Sequence, residues 1–157
     1  VMRFSVILLA AILLAATLTA ASAANAAETA TVDDVANSAA LCMLSADKNG
    51  ADRSRFENDA WTFNGQNYQH ISAPISIEFP TDGDGVNRVC VVRAILSDQY
   101  EQNKVVKILT SILDSKPLKQ SESQLWMVST AAGPRGIQFF TDPNSDQPQV
   151  RLIGAAF

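Results

Sequence analysis

The chain has 157 residues, 47% hydrophobic and 18% charged, with 12 Lys and Arg against 16 Asp and Glu and a formal net charge of −4. That length suits one ordinary domain with a real core, and the acidic balance argues against nucleic acid or an anionic membrane surface as the main partner. A single histidine and two cysteines without Cys-x-x-Cys spacing exclude a multi-ligand zinc centre and a dithiol redox centre of that type.

Arg3 is the only charge before Glu28, and an apolar run from Val6 to about Ala16 follows it. A positive start, a short apolar stretch and then small residues are the layout of a secretory signal. Ala21-Ser22-Ala23 and Ala24-Asn25-Ala26 offer small side chains at the positions signal peptidase reads, so cleavage is expected after Ala23 or Ala26. A spanning helix needs about 20 continuous apolar residues; here Thr17, Thr19 and Ser22 dilute the run, and a retained anchor is the lesser reading. Residues 1–26 are thus expected to be a signal peptide and residues 27–157 a single α+β domain, periplasmic or secreted, with no stable membrane anchor after cleavage. Losing Arg3 and no acid takes the formal charge from −4 to −5. In an exported protein Cys42 and Cys90 are expected to pair, the alternative being two buried thiols. Closing that loop would stabilise the fold by roughly 4 kcal/mol in the chain-entropy model.

Thr31 reads as a helix N-cap, with Asp34 three residues on to meet the helix dipole. Val32, Val35, Ala36, Ala39, Cys42 and Met43 recur at helical spacing, which predicts a helix ending near Ala46 with Cys42 on its buried stripe. Residues 47–70 are polar, with Phe56, Trp61, Phe63 and Tyr68 as their only large apolar anchors. They read as a loop, with a short helix near residues 54–60 and a strand at residues 61–63 closed by Asn64-Gly65. Residues 75–79 alternate apolar and polar, the period of a half-buried strand. After Pro80 and the Asp82-Gly83-Asp84-Gly85 turn, residues 86–96 form the strongest strand of the chain, paired to the previous one as a hairpin.

Ser97 or Asp98 caps a second helix whose inner face carries Val105, Ile108, Leu109, Ile112 and Leu113; it stops before Lys116-Pro117. After a hydrophilic connection at residues 119–123, strands are expected at residues 125–130, 136–141 and 150–155. Turns at Gly133-Pro134-Arg135-Gly136 and Asp142-Pro143-Asn144-Ser145 would separate them. The expected fold is α+β: an antiparallel sheet of four to six strands, two main helices on one face, in the order α-β-β-α-β-β-β.

No catalytic, metal or cofactor signature survives inspection, and no family's motifs can be matched residue by residue. The acidic turns starting at Asp47 and Asp82 lack the ligand spacing of a calcium loop. His70 has no serine frame around it; an enzyme built on His70 with Asp59 or Glu78 is the second reading of function, and a structural subunit of an envelope assembly the third. Arg88 and Arg93 have opposite parity, so one facing the helices would need an acid such as Glu101 or Asp114. Phe139 and Phe140 are adjacent, as are Trp126 and Met127, so each strand places one large apolar group away from the helices. Such a face marks a ligand groove or a partner surface, unless residues 47–70 fold over it. The leading expectation is therefore a non-enzymatic binding module for an envelope protein or small apolar ligand, with Trp61, Trp126, Phe139, Phe140 and Arg135 as candidate binding residues.

Overall fold

The computed structural model describes residues 28–142 and 145–157. The expected signal peptide and both cleavage sites lie outside the described residues, as do Pro143 and Asn144 of the last expected turn. Helix α1 runs Val32–Ser45. Thr31 Oγ1 accepts from the Asp34 amide at 3.1 Å and donates to the Asp34 carboxylate at 2.8 Å, so the first turn is satisfied on both sides. Helix α2, Gln99–Ile112, is capped by Asp98, whose carboxylate accepts from the Glu101 amide at 3.0 Å.

The strands are β1 Trp61–Phe63, β2 Tyr68–His70, β3 Ile75–Glu78, β4 Cys90–Ile95, β5 Leu118–Lys119, β6 Ser123–Thr130, β7 Gly133–Phe140 and β8 Gln149–Ala156. They form one eight-stranded sheet in the order β1-β2-β3-β4-β8-β7-β6-β5, with every neighbouring pair antiparallel. Two four-stranded meanders are thus joined edge to edge at β4 and β8, with α2 as the crossover between them.

Eight strands exceed the four to six expected from sequence. The two additions, β2 and β5, have only three and two residues, too short for a two-residue period to be visible. They are strands because their neighbours hydrogen-bond to them, and residues 118–119 are held by residues 124–125. The 133–136 turn is also corrected. The β6–β7 reversal is the tighter Ala131-Ala132, and Gly133 to Gly136 belong to β7. Pro134 is tolerated there because β8 pairing begins only at Arg135, so its missing N–H falls near the ladder's end. Its carbonyl still accepts from the Phe157 amide at 3.2 Å.

Helix α1 lies across β4, β7 and β8, and α2 packs beside it. Its closest approach is at Gly154. A Cβ there would sit 2.7 Å from Met43 Cα and 2.8 Å from Met43 N, so only glycine lets the helix backbone rest on β8. Cys90, directly opposite Gly154 on β4, is bonded to Cys42 of α1 with a Cα–Cα distance of 5.3 Å. The expected disulfide is therefore present and buried, clamping the helix where it touches the sheet. Val35, Ala39, Ile77, Val92, Leu109, Trp126, Phe139 and Leu152 fill the core between the layers. No helix among the described residues is long and apolar enough to cross a membrane.

Candidate binding face

The alternation of side chains along each strand divides the sheet into two faces. Ile75, Ile77, Cys90, Val92, Ala94, Trp126, Ile137, Phe139 and Leu152 point to the helices and are buried. Trp126 and Phe139 are 0% exposed, and the Trp126 indole donates to Thr110 Oγ1 of α2 at 3.2 Å. Of the five expected binding residues these two serve as core, and only Phe140 lies on the opposite face.

Arg135 is not a free hairpin tip. It is 5% exposed; its Nη2 donates to Asp47 at 3.3 Å and its Nη1 to the carbonyls of Ala132 and Pro134. It ties β7 to the turn after α1. Trp61 lies at the far edge of the sheet, its ring edge-on to Phe56 at 5.2 Å and to His70 at 4.9 Å. It lines a cleft of about 450 Å³ with Glu57, Asp59 and Tyr68. Burial, reinforced by the nearby Glu57 carboxylate, raises the Tyr68 hydroxyl above the ordinary phenol value. The structure therefore separates the five residues rather than gathering them.

His70 meets Trp61 and, through Nδ1, the Ser72 amide and hydroxyl at 3.4 and 3.3 Å. Glu78, one of its suggested carboxylate partners, instead accepts from Arg93 Nε at 2.8 Å. Neither Glu101 nor Asp114 serves the arginines of this strand. Arg88, just before β4, is gripped by Asp82 at 3.0 Å and by Asp84. The Arg88 hydrogen bond holds the Asp84 carboxyl down at about 2. Among the described residues no group of three or more His, Cys, Asp or Glu is arranged to hold a metal.

The face away from the helices is not covered by residues 47–70; β1 and β2 extend the sheet instead of folding across it. Its side chains fall into rows set by the register. One row runs Glu78, Val91, Ile153, Gln138, Leu125, Leu118 across β3, β4, β8, β7, β6 and β5. Next to it lies Ala155, Gly136, Met127. Because Gly136 has no side chain, the Phe157 ring and the Met127 sulfur close over it; each is 3.0 Å from where a Cβ would stand. Leu118, Met127 and Phe157 remain 62%, 39% and 61% exposed. Toward β5 and the C-terminus this half of the face is thus an apolar strip open to solvent, with Gln138 within it and Val91 buried at its inner end.

The other half is polar. A single row runs Thr62, Gln69, Ser76, Arg93, Arg151, Phe140, Ser123 across seven strands. Arg93 and Arg151 stand directly opposite each other on the two central strands, and the Arg151 guanidinium carbon lies 4.4 Å from the centre of the Phe140 ring. A cleft of about 480 Å³ opens beside this row. Sequence reading raised Phe140 and Arg93 but missed Arg151. Strand parity gives each residue its face, but only the pairing of β4 with β8 brings residues 93 and 151 together.

No family model matches this chain, and neither the curated proteins nor the solved structures yield a match.

Proposed function

We propose that this chain is an exported, non-enzymatic binding module that recognises a protein segment or a small apolar ligand on the uncovered face of its sheet. The observation that carries this reading is the set of exposed Leu118, Met127 and Phe157, with half-buried Leu125 and Ile153 beside them, on the side opposite both helices. An antiparallel sheet with one solvated face ordinarily alternates apolar-in with polar-out. Contiguous outward apolar groups are a burden in free solution and a gain once a partner covers them. The buried disulfide and the signal-like N-terminus support an oxidising, extracytoplasmic compartment for this activity.

Native mass spectrometry of the chain recovered from the periplasm of its own host tests the reading directly. Extra mass on the folded protein is expected, with Met127→Glu and Leu118→Glu releasing it while leaving the circular dichroism spectrum unchanged. A bare chain, or extra mass that both variants retain, would refute recognition through this strip. An uncut chain with free thiols would refute export.

A further inference from the structure

We infer that the cleft on the polar half of the face is a binding site for a small organic carboxylate with an apolar body. The inference stands on different residues from the apolar strip and does not depend on it.

Like charges directly opposite on antiparallel strands destabilise the pair, because their Cβ atoms are only about 5 Å apart. Arg93 and Arg151 occupy that arrangement at the centre of the sheet. Glu78 offsets one of them through Arg93 Nε, and among the described residues no carboxylate pairs with Arg151. The cleft is therefore left with one uncompensated positive charge, in a chain whose overall charge is −4. No acidic residue among those described lines it.

A carboxylate reaching both guanidinium groups would convert their repulsion into two charge-assisted contacts, and the planar arginine fork matches carboxylate geometry. The Arg151 guanidinium lies over the Phe140 ring, a cation–π contact that reduces the ordering needed on binding. The remaining walls fix the class of ligand further. Ser76, Gln149 and Gln69 offer neutral hydrogen-bonding groups, whereas Pro74 and Ile95 offer apolar contact. The cleft's volume of about 480 Å³ exceeds what a bare acetate would fill. A monoanion carrying a ring or short hydrocarbon satisfies charge and walls together.

Benzoate is the probe, with benzyl alcohol as its uncharged counterpart, and the readout is NMR of the arginine Nε–H groups and backbone amides. Benzoate is expected to shift Arg93, Arg151, Ser76 and Gln149 saturably with a Kd near or below about 10 mM, weak binding on the usual scale, and benzyl alcohol to shift none of them. Arg151→Gln should weaken benzoate at least tenfold. Lys104→Gln, an equal charge change on exposed α2, should leave it unaltered. Absence of saturable shifts at the cleft overturns the inference, as does equal weakening by the two variants, which would mean non-specific charge attraction. A partner captured on the apolar strip alongside a silent benzoate titration would sink this inference and leave the proposed function standing; the converse result would do the opposite.

Discussion

Single residues in this molecule hold loops as much as they fill space. Arg88 gathers Asp82 and Asp84 into a closed turn before β4, and it also donates to the Lys48 carbonyl at 2.8 Å. The Asp84 carboxyl, lowered from its ordinary value of 3.8 to about 2, favours the folded form above its unfolded value near pH 4. That contribution is lost as the pH falls through about 2. An NMR pH titration should find the Asp84 midpoint near 2, and Arg88→Gln should raise it toward the ordinary carboxylate range, with the Val86 amide still holding part of the shift; a wild-type midpoint near 4 would contradict the pairing. Arg135 makes a different case, because it is buried while Asp47 is partly solvated. Asp47→Ala leaves a buried guanidinium with backbone carbonyls alone, and should cost about 1–2 kcal/mol in urea denaturation. Replacing the charge itself, Arg135→Met, should cost less. Equal losses would show that Arg135 acts through packing and not through its charge.

At the scale of elements, the contact of α1 with β8 decides the architecture. Gly154→Ala would drive a methyl group to within 2.7 Å of Met43 Cα, part of a helix backbone with no side-chain freedom to yield. The expected loss is at least about 2 kcal/mol, read as a lower urea midpoint. Gly136→Ala, whose nearest neighbours include the movable ends of Met127 and Phe157, should cost less. Comparable losses at the two sites would remove the special role given to Gly154. The disulfide beside it, closing a span of 48 residues, acts on the unfolded chain. Cys42→Ala with Cys90→Ala should lower stability by about 2–4 kcal/mol and the melting midpoint by on the order of 10 °C. Both helices were legible in the sequence, because Thr31, the Ser97-Asp98 pair and the apolar stripes are local signals, but α2 ends at Ile112, short of the Lys116-Pro117 stop, and Ile112 is exposed instead of facing the core. Strands β2 and β5 were not, because they owe their conformation to partners and not to their own side chains.

For the molecule as a whole, layering sets the functional question. Both helices cover one side of an eight-stranded sheet, and the other side presents an apolar strip beside a cleft with two arginines. One surface thus offers two chemistries a few residues apart along the same strands. Placement also explains why the expected binding residues dispersed. Trp126 and Phe139 have the parity of the core, Phe140 has the parity of the open face, and Arg135 is inward at the end where α1 leaves the sheet. From sequence, one member of each adjacent pair had to face outward, but which one was undetermined until the pairing of β6, β7 and β8 fixed the inward set.

The α+β class, the existence of both helices and the antiparallel pairing of the strands around residues 75–79 and 90–95 could be read from local pattern, and Cys42 with Cys90 was the one intramolecular disulfide the composition allowed. Each is set by interactions between near neighbours, by a repeating hydrophobic period, or by there being one possible intramolecular pairing. That β4 lies against β8, and with it the Arg93–Arg151 row, the Gly154 contact and the face left uncovered, emerges from the packed molecule alone. Those features join residues more than 50 positions apart. No local propensity records such distances; they follow from how two meanders share one sheet while burying their apolar sides under the same pair of helices.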